Sequence, residues 1–214
     1  GLRNDGHLFI DELYTKGFTN FLISDKDFET TKYPKANFLL VEDSLLAFQQ
    51  IAKSHRQQFT IPVIGITGSN GKTIVKEWLN FLLSPDFKIV RSPKSYNSQV
   101  GVPLSIFGIN ENHNLGIFEA GISQKGEMEK LQEIIQPNIG IFTHLGNAHD
   151  DSFTSISEKV KEISVINIDF SKQKIFLQEQ FKSLKELAKQ TDTSFIGAVN
   201  AQEKKQLNGL DNLE

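Results

Sequence analysis

From about residue 59 onward, short apolar runs alternate with amphipathic stretches in this 214-residue chain. Such alternation predicts strand after helix, hence a mostly parallel sheet with helices on both faces. The expected strands are 61–66, 87–91, 115–119, 139–143, 164–168 and 194–199. Apolar positions at helical spacing predict helices over 73–83, 125–135, 155–162 and 176–190. Residues 1–58 read as a separate, smaller α/β unit. There, Phe9 to Tyr14 predicts a helix closed by Lys16-Gly17, while Phe18 to Ser24 and Phe38 to Val41 predict strands. Ser44 stands where a cap is wanted for a helix from Leu45 to His55. The polar stretch Ser54-His55-Arg56-Gln57-Gln58 sets the boundary between a first domain, 1–58, and a second, 59–214.

One junction in this pattern carries chemistry. The run Ile61 to Ile66 enters Thr67-Gly68-Ser69-Asn70-Gly71, and Lys72-Thr73 then opens an amphipathic segment, Ile74 to Leu83. Strand, glycine-rich turn and helix are the context of a phosphate-binding loop. Glycines let the backbone curl its amide N–H groups toward phosphate oxygens, and the helix start adds unpaired donors and the positive end of its dipole. Gly68, Ser69, Asn70, Gly71, Lys72 and Thr73 are the nucleotide-contacting candidates. In that motif the lysine sits on the β/γ-phosphates and the threonine hydroxyl ligates Mg²⁺. The spacing differs from a strict Walker A: glycines fall at 65, 68 and 71, and isoleucine stands at 66.

In a parallel α/β sheet, ligands bind beyond the carboxyl ends of the strands. Leu115-Gly116-Ile117-Phe118-Glu119-Ala120-Gly121 ends an apolar strand on an acid, which suits Mg²⁺. The plainer alternatives for Glu119 are a cap on the next turn or a pair with a lysine. Ile139 to Thr143 leads into His144-Leu145-Gly146-Asn147-Ala148-His149-Asp150-Asp151, where His149 beside two acids is a further candidate. Asn97, within Tyr96-Asn97-Ser98-Gln99 before a Gly-x-Pro helix entry, is either a ligand-facing amide or part of an ordinary polar loop. His55 and His113 read as surface residues.

Composition narrows the partners. A net charge of −3 with scattered lysines gives no footprint for nucleic acid. There are no cysteines, which excludes disulfides and thiolate metal sites. No apolar run is long enough for a bilayer and no signal-peptide pattern opens the chain, so membrane insertion is not expected and the cytoplasm is the expected compartment. The chain begins on Gly1 rather than methionine.

Together these motifs resemble the ATP-dependent Mur ligases of bacterial peptidoglycan synthesis. The resemblance is carried by Gly65 to Thr73 with Val75-Lys76-Glu77, by Asn97 to Pro103, and by Phe118-Glu119-Ala120-Gly121 with Lys125-Gly126-Glu127-Met128. Thr143 to His149 with Phe153, and upstream Arg3-Asn4-Asp5-Gly6-His7-Leu8-Phe9-Ile10, complete it, so that roughly residues 1–162 are covered. Folylpolyglutamate synthases share the architecture but usually carry G-K-G-S where Gly71-Lys72-Thr73-Ile74 stands here. The resemblance implies a first domain that grips a UDP-sugar, a central P-loop domain that binds ATP, and a third domain outside these residues. The Asp5-Gly6-His7 and Asn97–Pro103 segments favour the branch that adds D-alanyl-D-alanine to UDP-N-acetylmuramoyl-tripeptide through an acyl phosphate.

On that basis Lys72, Glu119 and His149 are catalytic, one Mg²⁺ sits by Thr73, Glu119 and His149 help hold a second Mg²⁺ near the acyl carboxylate, and Asn97 contacts nucleotide or substrate. Family members carry a lysine about fourteen residues after the metal histidine, whose carbamate joins that second Mg²⁺ site. Counting from His149 reaches Ile163, with Lys159 and Lys161 nearby. A non-catalytic Mg·ATP-binding homologue and a folylpolyglutamate-synthase-like ligase are the alternatives. Some members are fused to another enzyme domain, an alanine racemase, and the residues present do not bear on that.

Overall fold

The computed structural model describes residues 5–143, 162, 175–176 and 195–196. The chain divides into two units, 1–51 and 52–214. That division falls inside the helix Ser44–Arg56, a few residues ahead of the polar stretch that marks the boundary in the sequence.

In the first unit, a 3₁₀ turn over Gly6–Phe9 leads into α1 (Ile10–Thr15). Gly17, at φ +91°, ends the helix, as Lys16-Gly17 predicts. Strands β1 (Asn20–Ile23) and β2 (Asn37–Leu40) pair in parallel. Ile10, Ile23 and Tyr33 form the buried centre, with Phe21, Phe28 and Phe38 packed around them. His7 ties this unit together: its Nδ1 lies 2.6 Å from Asp5 Oδ1, and its Nε2 accepts from the backbone N–H groups of Ser24 and Asp25 at 3.2 and 3.3 Å. The Asp-Gly-His segment therefore holds the turn that follows β1. Helix α2 (Ser44–Arg56) is capped one residue earlier than the sequence suggests. Asp43 Oδ1 accepts from Leu45 N at 2.8 Å and Leu46 N at 3.0 Å, so Asp43, not Ser44, is the cap.

The second unit is built on β3 (Val63–Thr67), whose five residues are all buried. It is followed by α3 (Lys72–Leu83), β4 (Ile89–Arg91), α4 (Gly101–Ile106), β5 (Leu115–Glu119), α5 (Glu127–Ile135) and β6 (Ile139–Phe142). Among the described residues, short strands β7 (Ile175–Phe176) and β8 (Phe195–Ile196) extend a parallel sheet ordered β4-β5-β3-β6-β7-β8. Strand β8 falls within the predicted 194–199. Phe176 is a strand residue, whereas the sequence places a helix start there; a short β-branched and aromatic run is ambiguous by period. The expected strand 164–168 lies outside the described residues, as does the expected helix 155–162 apart from Glu162, which is helical.

The two-residue period of the strands sorts the core. Ile64 and Ile66 of β3 and Leu115 and Ile117 of β5 face one side, where Val75, Leu79 and Leu83 of α3 cover them. Val63, Phe118 and Phe142 face the other, against Val102 and Ile106 of α4 and Met128, Leu131, Ile134 and Ile135 of α5. Gly65 is a packing glycine rather than a loop one, because a Cβ there would stand 3.1 Å from Pro137 Cβ. Arg56, buried, donates to Ile135 O at 2.9 Å and Gln136 O at 3.3 Å, carbonyls at the end of α5, and to Phe59 O at 2.6 Å in the segment after α2. His55 is not a surface residue as expected. It is half-buried between Phe59 and Phe107, with Nε2 3.1 Å from Ile109 O.

Candidate functional site: the phosphate loop and the strand ends beside it

Strand β3 lies between β5 and β6, so three strand ends meet at its carboxyl edge: Thr67 of β3, Glu119 of β5 and Thr143 just after β6. The turn from 68 to 71 rises from the middle of these. Gly68 has φ +130° and Gly71 φ +85°, conformations that a side chain resists. Gly71 is the residue before α3, and its left-handed backbone swings the chain into the helix. Thr143 braces the turn from the side. Its hydroxyl lies 2.5 Å from Asn70 O and 3.1 Å from Thr67 O, and its N–H donates to Thr67 O at 2.9 Å.

Lys72 is the first residue of α3. Its ammonium folds back on the turn and donates to Gly68 O at 2.5 Å and Ser69 O at 3.3 Å. Burial lowers its pKa, and the charge of Glu119 opposes that shift in part. Thr73 faces the sheet. Its hydroxyl donates to Glu119 Oε2 at 3.0 Å.

Glu119 reaches this place by strand period: positions 115, 117 and 119 share the face that α3 covers. Its side chain is fully buried, and Oε1 lies 2.9 Å from the equally buried ammonium of Lys76. The approach is off the direction of a hydrogen bond, which leaves Oε1 an ion-pair partner without a directed donor. The lysine pairing, one of the plainer alternatives in the sequence, is thus present, and the Thr73 contact stands beside it.

Asn97 lies against the segment that follows β5. Its carbonyl accepts from Gly121 N at 2.8 Å, and a Cβ on Gly121 would stand 3.0 Å from Asn97 Cγ and Oδ1. Glycine at 121 is what lets this amide close over the strand end. His149 lies outside the described residues, together with Lys159, Lys161 and Ile163.

The donor set fits a hard cation. Thr73 Oγ1 and Glu119 Oε2 are hydroxyl and carboxylate oxygens, the kind Mg²⁺ takes. Their 3.0 Å separation is that of a hydrogen bond and is also close to the ~3.0 Å edge of an octahedron with ~2.1 Å bonds. Among the described residues no group of three His, Asp or Glu converges, and Thr73 and Glu119 are two oxygen donors here that could contribute to holding a metal.

Two residues that matter here entered the sequence reading only within the motifs of the resemblance and not as site candidates. Lys76 stands three positions after Thr73, hence on the same helix face, and that spacing was its available signal. Thr143 had only its place at a strand end.

A glycine turn on a parallel sheet, a lysine opening the next helix and a buried acid on the adjacent strand define an α/β protein of the phosphate-loop class. The sequence profile of the Mur ligase middle domain matches residues 66–211, and the chain belongs to the Mur ligase family. It is 39% identical over 145 residues to the UDP-N-acetylmuramoyl-tripeptide–D-alanyl-D-alanine ligase of Synechocystis, a match covering 68% of this chain and 32% of the relative. The fold is that of MurF from Acinetobacter baumannii, with a TM-score of 0.80, 24% identity, and 92% of this chain and 43% of that one covered. MurF ligase from Thermotoga maritima, solved in complex with ADP, matches with a TM-score of 0.76 and 26% identity over 92% of this chain and 44% of its own. The chain spans about a third of the length of the curated relatives it matches.

Proposed function

We propose that this chain is the nucleotide-binding part of an ATP-dependent ligase that joins D-alanyl-D-alanine to UDP-N-acetylmuramoyl-tripeptide. The observation that carries the reading is the Thr73–Glu119 pair beside a glycine turn and Lys72, in a chain whose relatives bear that ligase's name. Residues 1–58 would grip the UDP-sugar, and the nucleotide and UDP-linked substrates belong to the cytoplasm.

In this reading the γ-phosphoryl group of ATP passes to the terminal carboxylate of the tripeptide, giving ADP and an acyl phosphate. The amine of D-alanyl-D-alanine attacks that carbonyl, loses a proton and expels phosphate, which leaves the amide. Little covalent chemistry is asked of the protein; alignment and neutralisation of phosphate charge do the work. Gly68 to Gly71 supply backbone N–H donors and a close approach. Lys72 turns its ammonium from Gly68 O and Ser69 O to the β/γ-phosphates. Thr73 and Glu119, with His149, would hold Mg²⁺, which supplies charge neutralisation on the phosphates when bound. Asn97 contacts nucleotide or substrate across Gly121.

Phosphate release tests the proposal. It should require ATP, the UDP-muramoyl tripeptide and D-alanyl-D-alanine together, and Lys72→Ala should abolish it. Release without either acceptor, or with a folate and glutamate in their place, would overturn the assignment.

A further inference from the structure

Lys76 is buried as completely as any residue in the second unit, yet the proposed chemistry does not use it. Its ammonium donates to Ser92 O at 2.8 Å and also to Lys94 O, and it lies 2.9 Å from Glu119 Oε1 and 3.3 Å from Glu77 Oε1. A helix position facing a core needs no charge. Leucine or methionine would fill the space, and burying an ammonium is costly unless oxygens surround it.

The oxygens it gathers come from separate elements: Glu77 from its own helix, Glu119 from β5, and Ser92 and Lys94 from the loop after β4. That loop is joined to β5 twice more. Ser92 N donates to Ile117 O at 3.1 Å, and Ser92 Oγ accepts from Glu119 N at 3.0 Å. Lys94 has φ +49°, a left-handed conformation that a lysine seldom adopts and that persists only where its surroundings hold it. Three residues further on comes Asn97, against Gly121.

We propose that Lys76 is a positioning residue: its buried ammonium locks the start of α3, the Glu119 carboxylate and the loop 92–97 into one rigid body. Glu119 and Asn97 then keep a fixed relation to the phosphate loop. This inference rests on the nucleotide-site reading above for its effect on metal-nucleotide binding, and on geometry alone for the clamp.

Two measurements on the full chain test it. In titration calorimetry with ADP, Lys76→Met should lose at least tenfold of the affinity gain that Mg²⁺ confers, while binding in EDTA stays within threefold of wild type. A filler role would weaken both alike. In hydrogen exchange, the Tyr96 amide, bonded to Pro93 O at 3.1 Å, and the Gly121 amide, bonded to Asn97 O at 2.8 Å, should exchange at least tenfold faster. If Lys76→Met alone does not fold, Lys76→Met in a Glu119→Gln background removes the stranded charge, and the same acceleration over Glu119→Gln alone is expected. Equal loss with and without Mg²⁺, or unchanged exchange at both amides, overturns the clamp. Wild-type protein that gains no ADP affinity from Mg²⁺ overturns the nucleotide-site reading, and the exchange comparison still decides the clamp.

Discussion

Replacing Thr73 with valine keeps the shape and the β-branch and removes only the hydroxyl. In the structure that hydroxyl is the directed hydrogen-bond donor to the Glu119 side chain, at 3.0 Å to Oε2, while Oε1 has the Lys76 ammonium nearby but no aligned donor. Glu119 is fully buried, so water does not replace the lost bond. A hydrogen bond to a charged group contributes about 1.5–3 kcal/mol, and leaving a buried acceptor unmet has a similar cost. Thr73→Val should therefore destabilise by about 2 kcal/mol, roughly 4–8 °C in melting temperature for a chain of this size. Thr73→Ser keeps the donor and gives up one half-buried methyl, a loss of about 0.5 kcal/mol. Urea unfolding of both variants reads the difference directly. Adding Glu119→Gln should shrink the valine effect, with a coupling of about 1 kcal/mol or more. Equal stability of the valine and serine variants would refute the pairing, and with it the argument that strand period delivers Glu119 to the first turn of α3.

Burial holds the Lys72 ammonium below its ordinary value of 10.5. In the range just below that pH the unfolded chain binds more protons than the folded one, so stability rises with pH there. Lys72→Met should flatten that rise in urea midpoints taken across the range, while weakening ADP binding. Gly71→Ala meets only ordinary contact, 3.6 Å to Thr143 Cβ, so its cost is conformational, about 1–2 kcal/mol by thermal melting. Arg56→Met leaves the carbonyls of Ile135 and Phe59 without their donor, and denaturant unfolding should show a loss of about 3 kcal/mol. Gly121→Ala drives a methyl to 3.0 Å from Asn97 Cγ, and a crystal structure of the variant should show that amide displaced.

The parts of this site that are local in sequence were the legible ones. The run into Gly68, the helix at Lys72 and the acid at the end of 115–119 each follow from period and turn chemistry within a dozen residues. That Glu119 belongs to this edge followed from a rule about where strands end, whereas its contact with Thr73 did not, since the resemblance set the two at separate ions. Lys76 did not follow, because its burial depends on how closely α3 settles on β5 and on where the loop after β4 turns. His55 failed for a similar reason: its neighbours Phe107 and Ile109 are some fifty residues away in sequence and adjacent only in the fold. The Asp43 cap shows the usual one-residue ambiguity where two capping residues stand side by side. Phe176 shows the limit of periodicity in short apolar runs.

The ordering of strands separates the site from the length of the chain that connects it. Thr67, Glu119 and Thr143 end neighbouring strands, so only about 10 Å of sheet width spans all three, although 76 residues of sequence separate the first from the last. The turn Asn110 to Asn114 enters β5 at the opposite end and is closed by its own bonds, among them Asn112 N to Asn110 Oδ1 at 3.0 Å. A fluorescent domain or an affinity tag spliced into that turn would report on the protein from the far side of the sheet. The sheet itself makes this a tolerant port for engineering.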